Sequence, residues 1–176
     1  MNRLSHPEFL QKLRSVKLLA LDVDGVLTDD SIYFGPDKFE MKRFNISDGL
    51  FIVLAMRSGL EIAIVSGRSS PATTTRMDDL GVKHVLQGMK CKIKMIEPLL
   101  EQLGLGFDDV AFVGNEILDI PLAERVGLPI AVSDSCGELK KRAAYITQAT
   151  GGNGAVREVI EAYFEARKIV AMDHLL

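Results

Sequence analysis

The chain is poor in the residues that build covalent or metal-based scaffolds. Of its 176 residues two are cysteine and three are histidine. Cys91 and Cys136 lie far apart and match no zinc spacing, so they read as reduced thiols of a cytoplasmic protein, with a single disulfide as the alternative. His6, His84 and His174 are scattered and share no ligand spacing. No apolar run reaches the length that crosses a membrane, and the opening MNRLSHPEFLQKL lacks the apolar core of a secretory signal. A basic excess is missing too: the net charge of −3 argues against a nucleic-acid binder that relies on a basic face. Linkers, repeats and low-complexity tracts are absent from the sequence. What remains is 47% hydrophobic and 26% charged residues, the mix of a soluble globular protein, at a length that suits one domain over residues 1–176.

The pattern along the chain alternates. Apolar strands are predicted at Lys17–Leu21, Glu61–Val65, His84–Leu86, Val110–Val113, Pro129–Val132 and Tyr145–Thr147. Helical patterns fall between them at Gly49–Arg57, Pro71–Leu80, Lys92–Leu103, Glu116–Val126 and Glu138–Arg142, with a last helix from about Gly154 to Lys168. A short first helix is capped by Ser5 with Pro7 in its first turn. Strand, helix, strand at this spacing means parallel strands joined by right-handed crossovers: an α/β fold with an open, doubly wound, mostly parallel sheet. One insertion interrupts it. Ser31–Phe34 and Phe39–Phe44 flank Gly35-Pro36-Asp37-Lys38 and read as a β-hairpin. A lone hairpin is marginal in water, so apolar Ile32, Phe34, Phe39 and Met41 suggest that it leans on a partner subunit; the alternative is packing on its own domain.

The most informative stretch is LDVDGVLTD, Leu21 to Asp29, directly after the first strand. Asp22 and Asp24 are two residues apart, so in extended chain they point the same way. Two like charges there repel unless a cation or a proton lies between them. The pair suggests a divalent-metal site with one carboxylate free to attack or to shuttle protons. Asp-x-Asp-Gly also occurs in ordinary turns, and a calcium loop fits poorly because further spaced acidic ligands are missing.

In open α/β sheets ligands bind at the carboxyl ends of the strands. The second strand end offers Ser66, Gly67 and Arg68, which suit a phosphate or carboxylate. The third leads through QGMKCK to Lys90 and to Lys92 at a helix start, where a cation opposes the helix dipole unless it faces a bound anion. The fourth offers Asn115, Glu116 and Asp119. Each alone is also a common turn, a surface lysine or a helix cap; the signal is their convergence on one edge.

These four segments, in order and spacing, resemble the four motifs of the haloacid dehalogenase-like phosphohydrolases, over about Lys17 to Arg167. DVDGVLTD, the hairpin, FNISDG, VSGR, QGMKCK, VGLPIAVSD and GGNGAVRE further resemble the 3-deoxy-D-manno-octulosonate-8-phosphate phosphatases, with the phosphatases of nine-carbon sialic-type sugar acids as close relatives. The intervals Asp24 to Ser66 and Ser66 to Lys92 leave no room for a large cap domain. The resemblance implies a magnesium-dependent phosphatase of a small phosphorylated sugar acid. Asp22 would attack phosphorus and form an aspartyl-phosphate, and Asp24 would act as acid and then base. Ser66 and Lys92 would hold the phosphoryl oxygens. Magnesium would bind Asp22, Asp24 (through its carbonyl), Asn115 and Asp119. Substrate contacts carry over to Asn45, Ile46, Ser47, Asp48, Gly49, Gly67, Arg68, Arg76 and Lys92. The family also assembles as homotetramers in which hairpins and C-terminal tails, here about 31–44 and 166–176, help close neighbouring sites.

The fourth motif departs from the family's Gly-Asp-Asp-x-x-Asp. It reads GNEILD, so Asn115 offers a neutral carbonyl oxygen where a charged ligand is usual, which should weaken metal binding by about 10–100-fold. Glu116 offers a partial compensation. Ser47 and Val53 stand where octulosonate phosphatases carry basic residues. Two other readings therefore stay open: a catalytically weakened member kept as an oligomeric scaffold, and a receiver-like domain phosphorylated on an aspartate.

Overall fold

Strand β1 (Leu18–Leu21) is buried at every residue, and its neighbours in sequence face opposite sides. Leu19 and Leu21 pack into one core, Leu18 and Ala20 into the other, as the two-residue period of a strand requires. This is the signature of a central strand covered by helices on both faces. The structure, a computed structural model, describes residues 3–175.

Around β1 lie β4 (Glu61–Ser66), β5 (His84–Gln87), β6 (Val110–Gly114), β7 (Leu128–Ala131) and β8 (Tyr145–Ile146), after a separate hairpin of β2 (Tyr33–Phe34) and β3 (Glu40–Met41). The sheet order is β5-β4-β1-β6-β7-β8, and every pairing is parallel. The predicted strands all form, within about two residues at their ends. Helices α1 (His6–Leu13), α2 (Ile46–Arg57), α3 (Pro71–Leu80) and α7 (Ala155–Arg167) bury Phe9, Ile52, Met77 and Ile160 against one face. The other face receives Ile96 from α4 (Lys92–Leu103), Leu122 from α5 (Ile120–Ala123) and Leu139 from α6 (Gly137–Lys140).

Local signals explain the boundaries. Ser5 N–H donates to Glu8 at 2.7 Å, half of a capping box at the start of α1. Helices α3 and α4 run over the predicted ranges, and each ends on a left-handed glycine, Gly81 (φ 72°) and Gly104 (φ 65°). The helix predicted over Glu116–Val126 is a correction. Ile117–Asp119 is a 3-10 turn, and α5 covers Ile120–Ala123 alone. The Asp119 carboxylate folds back to accept the Asn115 and Glu116 N–H groups at 2.8 and 3.1 Å, and Pro121 sets the first turn of α5.

The hairpin is also shorter than its sequence pattern. Its ladder is two pairs, Tyr33↔Met41 and Phe34↔Glu40, because Asp37 and Lys38 take positive φ in the turn. Its polar residues lean on the parent domain: Glu40 accepts from Ser70 Oγ and from Arg68 Nη2, each at 2.8 Å. Ile32, Phe34, Phe39 and Met41 stay exposed. After α7 the chain folds back onto the end of α2, where Arg57 Nη1 donates to the carbonyls of His174 and Leu175 at 3.1 and 2.6 Å. The tail expected over 166–176 thus docks on its own chain through Leu175; Leu176, like Met1 and Asn2, lies outside the described residues.

Two glycines bring the last loop against the first. A Cβ on Gly151 would stand 1.9 Å from the Gly25 carbonyl oxygen, and one on Gly152 2.4 Å from the Thr28 carbonyl carbon. GGNG is therefore a backbone-to-backbone seat that presses the Asp22–Thr28 loop into place.

Candidate active site

Because the six strands are parallel, their carboxyl ends share one edge. Asp22 follows β1, Ser66 ends β4, Lys92 opens α4 after β5, and Asn115 follows β6. A cleft at this edge is lined by Asp22, Asp24, Ser66, Gly67, Arg68 and Lys92, with Asn115 and Asp119. The expected convergence of four strand ends is therefore present.

Lys92 is the hub. It is 5% exposed, and its ammonium lies 2.7 Å from Asp22 Oδ1 and 2.5 Å from Asp119 Oδ1. Burial works against the charged amine, but Asp22 and Asp119 together hold its pKa above that of a free lysine. Asp22 is in the opposite position. Burial pushes its carboxyl up to about 7, the Asp119 charge adds to the rise, and Lys92 opposes it. One cation serving two buried carboxylates leaves one negative charge uncompensated.

Asp119 has both oxygens engaged, Oδ1 by Lys92 and Oδ2 by the N–H groups of Asn115 and Glu116. Of the four residues expected around a metal, it is the one the fold uses to aim Lys92 and shape the Asn115 loop. Asn115 differs: it is 8% exposed, and its side-chain oxygen is buried without a hydrogen-bond partner. Its amide nitrogen would be 1.8 Å from a Cβ at residue 25, so Gly25, at φ +81°, is required by space as well as by backbone.

These features fit a hard dication. There is a surplus negative charge, an orphaned amide oxygen and an all-oxygen donor set. Among the described residues no three His, Cys, Asp or Glu side chains gather to hold an ion. Few protein carboxylates is what magnesium, which keeps several waters, tolerates best.

Other expected contacts go elsewhere. Asn45, Ile46, Ser47, Asp48, Gly49 and Arg76 do not line the cleft. Asn45 Oδ1 caps α2, accepting from Ser47 and Asp48 N–H at 2.8 and 3.1 Å. Asp48 is buried and accepts from Gly154 and Arg157 N–H at 3.2 and 2.7 Å, which joins the starts of α2 and α7. Ile46 is 83% exposed. A Cβ on Gly49 would be 2.3 Å from Arg76 Nη2, so the guanidinium rests over that glycine. In turn the cleft includes Asp30, which sequence reasoning missed. Asp30 sits at φ 63°, and burial, then the charges of Asp24 and Glu116, raise its pKa. Lys42 was missed as well: its ammonium pairs with the Asp24 carboxylate. A lysine in a hairpin reads as a solvated charge, so nothing in the pattern marked it.

The pattern of the haloacid dehalogenase-like hydrolases matches residues 85–160. The 3-deoxy-D-manno-octulosonate 8-phosphate phosphatase KdsC of Salmonella typhimurium is 43% identical over 155 residues, covering 88% of this chain and 82% of that protein. The chain belongs to this phosphatase family. Two solved members resemble it throughout. The octulosonate 8-phosphate phosphatase of Moraxella catarrhalis, in complex with magnesium, phosphate and KDO, is 36% identical with a TM-score of 0.90, covering 94% of this chain and 96% of that one. The cobalt-bound enzyme of Haemophilus influenzae is 32% identical with a TM-score of 0.86, covering 90% and 92%. The fold expected from the resemblance is the one this chain shares with these family members, and no large cap is evident among the described residues.

The raised pKa of Asp22 has a consequence for stability. Its contribution is fully present below the unfolded pKa of about 3.9 and is lost as pH rises toward about 7. Asp22→Asn mimics the neutral form. In metal-free protein it should match wild type near pH 4 and be more stable by about 4 kcal/mol at pH 8, read by urea unfolding. An equal or lower stability at pH 8 would show that Asp22 is not held as a strained buried charge.

Proposed function

We propose that the protein is a magnesium-dependent phosphatase that hydrolyses 3-deoxy-D-manno-octulosonate 8-phosphate through a phosphorylated Asp22. The observation that carries this reading is the cleft itself. It holds a buried carboxylate, a buried ammonium and a short hydroxyl, Ser66, at the ends of three adjacent strands. Family membership supplies the substrate class. The site would be completed by magnesium held by the Asp22 carboxylate, the Asp24 carbonyl and the Asn115 side-chain oxygen. The ion supplies charge neutralisation that lets one anion approach another.

In the first half-reaction an Asp22 carboxylate oxygen attacks phosphorus. The ester P–O bond breaks, its electron pair stays on the sugar oxygen, and that oxygen takes a proton from the Asp24 carboxyl. In the second, Asp24 takes a proton from water, whose oxygen attacks phosphorus and releases Asp22. Lys92 and Ser66 donate to the phosphoryl oxygens as charge spreads over them. Asp119 positions Lys92 for this. Arg68, 43% exposed at the cleft wall, is suited to the carboxylate of the sugar acid. Asn45 and Asp48 serve by capping and joining helices.

Phosphate release from 3-deoxy-D-manno-octulosonate 8-phosphate, with and without magnesium, tests the proposal. Turnover should require the ion; a purified, folded protein that releases none would overturn the reading. Magnesium titration calorimetry tests the departure at residue 115. Asn115→Asp should tighten binding by about 10–100-fold and raise the rate at limiting magnesium. An unchanged affinity would remove Asn115 from the ligand set.

The proposal extends to a cytoplasmic homotetramer. Phe34 and Phe39 are 67% and 65% exposed at the hairpin, and Met172 is 72% exposed in the tail. Together these apolar side chains suit contact with further copies of the chain. Sedimentation should give a four-chain mass that Phe34→Glu reduces; a wild-type monomer at assay concentration would sink this part.

A further inference from the structure

A lysine at the base of an exposed hairpin ordinarily reaches water. The Lys42 side chain has no exposure at all. Its ammonium is paired with Asp24 Oδ1 and lies 3.8 Å from Glu40 Oε1. Glu40 Oε2 accepts from Arg68 Nη2 at 2.8 Å, and Arg68 Nη1 lies 3.7 Å from Asp24 Oδ2. The four groups close a ring of alternating charge. Ser70 Oγ fastens it to the start of α3 through Glu40 Oε1 at 2.8 Å. Two members come from the hairpin, one from the β1 loop and one from the β4 loop.

We propose that Lys42 is a positioning residue for phosphate-ester hydrolysis: its buried ammonium fixes the Asp24 carboxylate in the orientation that proton transfer needs. The assignment rests on the phosphatase reading above. Asp24 stands on a loop beside Gly25, and among the described residues Lys42 is the side chain that hydrogen-bonds its carboxylate. A buried cation on Oδ1 restricts its side-chain torsions. Oδ2, beyond hydrogen-bond length from Arg68, is the oxygen left to exchange a proton. An ammonium without water must keep its partners, so Lys42 holds the hairpin base down while it holds Asp24. Seating of the hairpin and aim of the carboxylate are one event.

Leaving-group chemistry tests this. An alkyl oxygen needs a proton to depart, whereas nitrophenolate leaves without one. Lys42→Met removes the charge and keeps most of the stem. First-turnover rates are compared on octulosonate 8-phosphate and p-nitrophenyl phosphate. The sugar ester should slow by about 100-fold while the nitrophenyl ester stays within about threefold, with KM little changed. Lys42→Arg should recover most of the loss. In an Asp24→Asn background Lys42→Met should add nothing further. Equal losses on both esters, or an added loss in that background, would overturn the assignment. Should Lys42→Met fail to fold, Glu40→Gln loosens the same ring. It should slow the sugar ester selectively, and a uniform loss would count against the proposal. Wild-type protein inactive on both esters would overturn the phosphatase reading and this assignment together; an active wild type whose variants lose both esters equally would overturn the assignment alone.

Discussion

The site depends on a single ammonium held between two buried carboxylates. Lys92 reaches Asp22 and Asp119 at once. Two carboxylates cannot both be ionised in so little water without a partner. One lysine is partner enough for one of them, and Asp119 has the stronger claim, since backbone N–H groups hold its second oxygen. Asp22 is left as the under-compensated member, with its pKa raised. That imbalance is what the proposed cation site and the proposed nucleophile would both draw on. A buried carboxylate without full neutralisation has something to gain from a dication and from a phosphoryl group.

Everything around this triad serves to hold it. The β1 core packs on both faces of the sheet, so the loop after Leu21 starts from a fixed point. Gly151 and Gly152 press on that loop from the last segment of the chain, and Gly25 makes room for the Asn115 amide. Lys92 sits over Phe112, its ammonium 5.5 Å from the ring centre, which adds a cation–π contact to the two ion pairs. The hairpin contributes from outside, through the charge ring of Glu40 and Lys42.

Strands, and the helices with strong punctuation, were legible in the sequence. Pro71 and Gly81 bracket α3, and Gly104 stops α4, because proline and glycine act locally. The short 3-10 turn at Ile117–Asp119 was not legible, because it follows from a side chain folding back on its own loop rather than from periodicity. Asp22, Ser66, Lys92 and Asn115 could be placed at one edge from strand order alone. The partners of Lys42 could not, because pairing between a hairpin and two strand-end loops is a tertiary contact with no sequence period. Asp48 and Asn45 carry a structural use that their motif position did not announce: the structure engages their oxygens at helix ends.

The account turns on a surplus buried charge at Asp22 that a dication relieves. Calorimetric titration of magnesium at pH 6, in two buffers with different heats of ionisation, measures the protons released on binding. The account predicts close to one proton per bound ion at pH 6, falling toward none at pH 9, because the ion displaces the proton from a carboxyl with pKa about 7. Identical heats in both buffers at pH 6, meaning no proton released, would contradict it.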